Sequence, residues 1–131
     1  MTSASLAVQT LVRTALVATP GLAGVTGVFE WVAPDAAAPY LTIGADSVTD
    51  WSHKTGTGHE HRVQINVWDD VAGMTRLKSL AGAAEAAVRG LTGASDGHRV
   101  AGVVFVRAVF IRGIDGWSQA SLDFRIRTQQ I

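Results

Sequence analysis

The chain contains no cysteine, which excludes a disulfide framework and a thiolate metal site. It also carries little charge, since 17% of its residues are charged, against about 25% in an average soluble domain. A soluble monomer needs a charged exterior, so this shortage predicts that partner subunits cover part of the surface. No uncharged apolar run reaches the roughly 18 residues of a transmembrane helix, and no membrane contact is expected.

Sequence motifs for enzymatic chemistry are also missing. The chain has neither a G-x-S-x-G nucleophile motif nor a Walker or G-x-G-x-x-G phosphate loop. Eleven basic residues balance eleven acidic ones, which argues against a protein that binds nucleic acid mainly through phosphate contacts. We therefore expect a protein that is not an enzyme and needs no cofactor. A length of 131 residues favours one domain, over residues 1–131.

Hydrophobic periodicity predicts two helices and two long hairpins. Apolar residues from Ala4 to Ala15 follow helical spacing, and a second apolar stripe runs from Met74 to Leu91. Strands are predicted over residues 40–53, 59–68, 100–111 and 120–127, with a short edge strand near residues 28–32. The order helix–hairpin–helix–hairpin indicates an α+β domain with a mostly antiparallel, four- to five-stranded sheet and two helices.

The strand over residues 100–111 differs from the others because both of its faces are apolar. Such a strand is predicted to lie at the centre of the sheet and to be covered on both sides. Arg107 interrupts it, and a buried arginine needs a carboxylate, which another subunit could supply. Arg125 and Arg127 follow on the last strand. Together with Arg99 and Arg112, these arginines indicate an intersubunit salt-bridge row or a weakly basic surface, or else a solvated sheet face with Asp123 as a neutral partner.

Three histidines flank the tip of the first hairpin. His59 and His61 are two residues apart on a strand and share a face, while His53 lies across the tip. Three imidazoles could bind zinc and support a metal-dependent enzyme. We favour hydrogen bonding to water or to neighbours, because no fourth ligand stands at ligand spacing and no second shell is evident. After this hairpin, Asp69 or Asp70 is predicted to cap the second helix.

The tryptophans add candidates for a protein interface. Trp51 lies among polar residues of the hairpin arm, and either an interface or the core edge suits it and Trp117 equally. For Trp31 and Trp68 the core edge is favoured. No metal, cofactor or catalytic residue is assigned. The interface candidates from the sequence are Trp51, His53, His59, Arg107, Trp117, Arg125 and Arg127.

Three segments of the chain resemble the tail terminator proteins of long-tailed phages and of phage-like gene transfer agents. The similar segments are PYLTIG over residues 39–44, residues 50–61 around the glycine-containing tip, and INVW over residues 65–68. The order of helices and hairpins extends the resemblance over almost the whole chain. The exposed backbone of the 45–58 arm is expected to contact a neighbouring subunit or the tail tube.

The resemblance implies a structural virion protein that forms a ring, usually hexameric, on the head-proximal end of the tail tube. Such a ring stops tube growth and joins the tube to the neck. The implied partners are other copies of the chain, the tail tube protein and the head–tail connector or stopper protein, while DNA passes through the lumen without specific binding. The implied location is the tail–neck junction of a particle assembled in the bacterial cytoplasm. The alternatives are another neck or minor tail protein, a small-molecule binding module, and a metal-dependent enzyme.

Overall fold

The computed structural model describes residues 3–30, 35–113 and 115–131. Its long elements are two helices, α1 (Ala4–Val17) and α2 (Thr75–Arg89), and four strands, β2 (Tyr40–Asp50), β3 (Gly58–Asp69), β5 (His98–Arg112) and β6 (Ser118–Gln130). The short elements are the strands β1 (Val28–Phe29) and β4 (Ala94–Ser95) and a 3-10 helix over Pro20–Leu22. Trp31, predicted to pack at the core edge, lies outside the described residues.

The six strands form one mixed sheet in the order β1-β2-β3-β6-β5-β4. β1 runs parallel to β2, whereas the other neighbouring pairs are antiparallel. The prediction of a mostly antiparallel sheet with four to five strands is therefore wrong. Strands of two residues, such as β1 and β4, are too short for an alternation of apolar and polar residues to reveal them or their direction.

The two helices pack on one face of the sheet, because each has one apolar stripe to bury. The fully buried residues of the stripes include Val8, Val12 and Leu16 of α1 and Leu77, Ala84 and Val88 of α2. They join a core whose members from β3 and β6 are Val63, Ile65, Val67, Leu122, Phe124 and Ile126. The predicted alternation in these two strands is confirmed. No helix in the described ranges is long and apolar enough to cross a membrane.

The connection from β3 to α2 differs from the prediction that an aspartate caps the helix. The helix begins at Thr75 after Met74, which makes no capping hydrogen bond. Asp69 instead ends β3, where its buried carboxylate accepts a hydrogen bond from the Asp70 N–H at 2.9 Å. The guanidinium of Arg76 binds the same carboxylate, with 2.9 Å between Nε and Oδ2. Asp69 thereby ties the end of the sheet to the first turn of α2.

β5 lies near an edge of the sheet and not at its centre. β4 pairs with only the first two residues of β5, so residues 100–112 have β6 as their one neighbouring strand in the described chain. Several large apolar side chains of β5 are exposed. The prediction that this strand is covered on both sides is therefore wrong for the single chain. Apolar residues on both faces of a strand indicate cover on both faces, but they do not say which chain supplies it.

The outer strands of the sheet are irregular, while its middle is not. β2 has a register shift between Ala45 and Ser47, and β5 has two shifts, one between Val100 and Gly102 and one between Phe105 and Arg107. β3 and β6 pair without a shift over their whole common length. Each shift adds one residue to the outer strand, which is the definition of a β-bulge.

Candidate assembly surface

The face of the sheet opposite the helices, called here the helix-free face, carries a polar network on β3 and β6. Residues directly opposite each other in antiparallel strands share a face, which brings together Gln64 with Asp123 and Asn66 with Ser121. Gln64 Nε2 donates to Asp123 Oδ1 at 3.1 Å, and Ser121 Oγ donates to Asn66 Oδ1 at 2.8 Å. The side-chain amide of Gln119 donates to the same Asn66 oxygen at 2.8 Å. The centre of this face is therefore polar and internally hydrogen-bonded.

Three of the candidate arginines lie on the helix-free face and pair with carboxylates of the same chain. Arg107 Nε donates to Asp123 Oδ2 at 2.9 Å, and its side chain is 69% exposed, so the expected burial of this arginine is not found. The hydrogen bond from Arg107 is the main cause that holds the pKa of Asp123 below its usual value. Arg127 Nε lies 3.1 Å from Glu60 Oε2, and Arg125 Nε lies 4.0 Å from Glu60 Oε1. One glutamate thus faces two guanidinium groups.

A row of exposed apolar side chains follows β5 beside this polar network. The row, called here the β5 row, consists of Val104, Val106, Val109 and Ile111, which are between 38% and 48% exposed. Contiguous apolar patches are uncommon on soluble monomers and mark places where another molecule binds. The β5 row therefore indicates a surface that a second chain covers.

The other side of β5 is shielded by cationic side chains of α2. The guanidinium carbon of Arg89 lies 4.9 Å from the ring centre of Phe105, and Lys78 Nζ lies 5.2 Å from that of Phe110. Such contacts are favourable because the ring face is electron-rich, and the long aliphatic stems cover apolar surface. The helix-bearing side of β5 is thus partly covered within the chain, in contrast to the β5 row.

The tip of the β2–β3 hairpin brings several candidate residues together. His53 and Gly56 exchange backbone hydrogen bonds of 2.8 and 3.3 Å around a tight turn. The Trp51 ring lies 4.7 Å from the His53 ring, measured between centres, and 5.0 Å from the Arg127 guanidinium carbon. Through Glu60, Arg125 joins the same end of the sheet. Trp51, His53, Arg125 and Arg127 therefore form one group, called here the tip cluster.

The histidines are not arranged as a zinc site would require. His53 contacts Trp51, whereas the ring of His59 lies 6.2 Å from that of His61 and 5.9 Å from that of His98. Over residues 3–30, 35–113 and 115–131, no group of three His, Cys, Asp or Glu side chains is placed to hold a metal ion. The trio of His53, His59 and His61 that the sequence offered is therefore not brought together.

His61 occupies an environment typical of a structural residue. Its side chain is fully buried, and its Nε2 lies 2.9 Å from Thr128 Oγ1. Burial, followed by the nearby His59 and His98, lowers the pKa of His61 to about 4. The imidazole is therefore neutral at physiological pH and forms part of the packed interior.

Trp117 lies at the opposite end of the strands from the tip cluster. The ring of Tyr40 stacks on Trp68 with 6.3 Å between centres and meets Trp117 edge-on at 6.2 Å. Trp68 Nε1 donates to Thr42 Oγ1 at 3.1 Å, which places this tryptophan at the edge of the sheet's polar network. Trp117 is 36% exposed. The candidate interface residues thus occupy two separate ends of one sheet, with Arg107 between them.

Sequence reasoning offered Asp123 as a partner for the arginines of this region in one of its alternatives, but it expected Arg107 to be buried and missed the outward orientation of the β5 row. The signal for both was the arginine itself. A charged side chain in the middle of an apolar strand has the lowest desolvation cost where that strand faces water. Asp123 is the one acidic residue in the sequence of β6. Read together, these facts would have favoured an exposed face for β5.

A polar face with an exposed apolar row beside it is typical of a protein that assembles with other chains. The family model of tail completion protein gp17 matches residues 10–129, so the chain belongs to this family. Among solved structures it is similar to a chain of the virion of a native gene transfer agent particle, with 33% identity and a TM-score of 0.85. That alignment covers 98% of this chain and 99% of the other. The comparison with curated proteins gives no match.

These comparisons confirm the resemblance to tail proteins of phages and gene transfer agents. The protein is a structural tail component of a phage-type particle, and it assembles with other proteins of that particle.

Proposed function

We propose that this protein is a tail terminator, a ring of identical subunits that caps the head-proximal end of the tail tube and joins it to the neck. The ring is a hexamer that contacts the tail tube protein on one side and the head–tail connector or stopper protein on the other. DNA passes through its lumen without specific binding. The family match and the similarity to a gene transfer agent virion chain support this proposal.

The observation that carries the proposal is the β5 row. Removing a Val or Ile side chain from water contributes about 1.5–3 kcal/mol, and the four members of the row are partly exposed in the single chain. We take the opposite edge of the sheet, at β2, to be the patch that covers the row, and its sequence differs from that of β5. Contacts between two different patches generate closed rings when the rotation between neighbours closes.

The tip cluster is the second surface that the proposal uses. Arginine and tryptophan are the residues that most often dominate binding energy at protein interfaces. The tip cluster contains both types of residue, namely Trp51, Arg125 and Arg127, and His53 is exposed beside them. We assign this cluster to contact with the tube or with a neighbouring subunit.

Tube length is the direct test of the proposed function. Purified tail tube protein would be polymerised with and without this protein, and lengths and end views would be measured by electron microscopy. A terminator should shorten the length distribution in proportion to its concentration and add a six-fold ring to one end. Unchanged lengths at saturating protein, with no density at either end, would contradict the proposal.

A matched pair of substitutions tests the role of the β5 row. Val104→Lys places a charge in the row, while Val17→Lys places the same charge on another exposed valine, at the end of α1. Both changes are at exposed positions, so each should alter the free energy of unfolding by less than about 0.5 kcal/mol. Only Val104→Lys should abolish assembly in size-exclusion chromatography with light scattering. An equal effect of both variants would rule out the row as the assembly surface.

The second candidate is another neck or minor tail protein, since the family description, tail completion, fits that role as well. A ring that binds the connector protein but leaves tube length unchanged would identify it.

A further inference from the structure

We propose that neighbouring copies join edge to edge, with residues 101–108 of β5 in one copy paired antiparallel to residues 43–50 of β2 in the next. The inference rests on the proposed ring and names the contact that holds it together. It commits to a second copy of this chain as the molecule that covers the β5 edge.

Both strand segments have an open edge in the described structure. β5 pairs with β6 on one side. On its other side β4 pairs with His98 and Arg99, and the Val100 N–H donates to the Gly93 carbonyl oxygen at 2.9 Å, so this edge is open from Ala101 onward. β2 pairs with β3 on one side, and on its other side β1 reaches only Leu41 and Thr42. The described residues place no further strand beside 100–112 or beside 43–50. Unpaired N–H and C=O groups along a strand are a template for pairing with another chain.

The two open segments lie at the same level of the sheet. Following the register through β3 and β6, Val100 is level with Asp50, Val104 with Ser47, and Ala108 with Ile43. The short strand β4 covers β5 above this level, and β1 covers β2 below it. β4 therefore leaves free the part of β5 that would pair with β2 of another copy, and β1 leaves free the matching part of β2.

The direction of pairing follows from symmetry. Crossing the sheet from β2 to β5 involves three antiparallel steps, so β5 runs opposite to β2. In a ring, the edge strands of neighbouring copies can lie side by side only if the rotation axis of the ring is nearly parallel to the strands. A rotation about such an axis leaves the direction in which each strand runs unchanged. β2 of the next copy therefore meets β5 antiparallel, without a shift along the strands.

The charges of the two edge strands are complementary. Beside the open segments, β5 carries Arg99 and no acidic residue, while its Arg107 is already paired with Asp123 in the same chain. The end of β2 carries Asp50, and β2 contains no basic residue. Two copies of one edge would therefore repel, while unlike edges attract. This difference favours head-to-tail contacts, which close into rings, over a two-fold dimer.

Disulfide trapping tests the contact because the natural chain has no cysteine. Ser47→Cys and Val104→Cys are introduced together, since both positions are exposed and share one level of the sheet. Oxidation of the assembled protein should give a ladder of covalent oligomers on a denaturing gel, ending at the number of subunits in the ring. The control pair Val17→Cys with Val104→Cys, and each single variant, should give no species beyond a dimer.

Two further partners for Ser47→Cys, at Gly102 and at Val106, detect a stagger of two residues in either direction. If rings are visible by electron microscopy but none of the three pairs gives a ladder, the edge contact is wrong while the proposed function stands. If the unmodified protein forms no ring even with its tube protein, the proposed function itself fails. Cross-links that form only to an added tube protein would identify that protein as the occupant and overturn the inference.

Hydrogen exchange provides a readout on the unmodified protein, should the double variants fail to assemble. The amides of residues 43–50 and 101–108 that are not already hydrogen-bonded to β3 or β6 should exchange at least ten-fold more slowly in the ring than in the dilute monomer. Protection confined to one of the two segments, or absent from both, would overturn the inference.

Discussion

The guanidinium carbon of Arg127 lies 5.0 Å from the centre of the Trp51 ring, so the last strand and the tip of the first hairpin are in direct contact. Arg127 also pairs with Glu60 on β3 at 3.1 Å. A single arginine therefore links three parts of the helix-free face. This contact joins members of the tip cluster within one chain.

Truncation of Trp51 should weaken the hairpin tip without unfolding the protein. Trp51→Ala removes the cation–π contact with Arg127 and the edge-on contact with His53. An exposed cation–π contact contributes about 0.5–1 kcal/mol. We expect urea denaturation to show a loss of about 1 kcal/mol and an unchanged circular dichroism spectrum, because the side chain is only half-buried. Trp51→Phe keeps an aromatic ring and should recover most of the loss. Global unfolding of Trp51→Ala would instead place this residue in the core.

Two glycines of the hairpin tip should respond differently to the same change. A Cβ at Gly58 would lie 2.5 Å from the Trp51 carbonyl oxygen and 3.0 Å from that of Thr128. Backbone atoms cannot move aside cheaply, so Gly58→Ala should destabilise the protein by roughly 2 kcal/mol. The same position at Gly56 has nothing within 4 Å, and Gly56→Ala should be close to neutral. Equal melting temperatures for the two variants would show that the crowding at Gly58 is not real.

Acid should destabilise the folded chain through His61. Its pKa is about 4 in the folded state, below about 6.5 in an unfolded chain. The unfolded state therefore binds the proton more readily, and the stability linked to this group is complete above pH 6.5 and is lost as the pH falls toward 4. The expected loss is up to about 3 kcal/mol. Urea denaturation between pH 4 and pH 8 measures it.

Two histidine variants separate this effect from other acid effects. His61→Leu should flatten the pH dependence between pH 4 and pH 6.5, although it also removes the hydrogen-bond partner of the Thr128 hydroxyl and lowers the stability at neutral pH. His53→Leu changes an exposed imidazole on the tip and should leave the slope intact. A steep acid transition that persists in His61→Leu would show that the sensitivity does not come from His61.

The Asp69–Arg76 pair should contribute measurably to stability, because the side chain of Asp69 is 1% exposed. Asp69→Asn leaves a buried group facing a guanidinium and should cost about 2 kcal/mol. The hydrogen bond from Arg76 holds the pKa of Asp69 below its usual value of 3.8, so this contribution is present at neutral pH and is lost only as the pH falls below that value. The neighbour Asp70 has a side chain that is 52% exposed, and it lies 3.9 Å from Arg76. Asp70→Asn should therefore change the free energy of unfolding by less than about 0.5 kcal/mol.

The sequence predicts best those elements whose pattern one chain satisfies alone. The alternation of Val63, Ile65 and Val67 with polar residues correctly identified the buried face of β3, because the helices that cover it belong to the same chain. The pattern of residues 100–111 misled for the opposite reason, since the cover of its outer face is not supplied by the described part of the chain. Spacing along the strand paired His59 with His61. It did not reveal that the β5–β6 hairpin brings His98 beside them.

Other features lie below what local patterns can resolve. The parallel pairing of β1 with β2 depends on how the chain returns after α1, and two residues carry no signal of direction. Asp69 and Asp70 fit a helix cap by composition, yet the helix starts several residues later because Asp69 completes the ladder with Ser118 at the end of β6. Long-range pairing therefore outweighed a local preference at this site.

The bulges of the sheet are confined to the two strands that carry its lateral edges, β2 and β5. A bulge bends its strand and increases the local twist. Flat, regular ribbons are the shapes that stack without limit into fibrils, and strands kinked at both borders are poorly suited to such growth. The bulges thus allow the open strand edges to pair with a neighbouring chain at one particular angle, while they disfavour unlimited growth into fibrils.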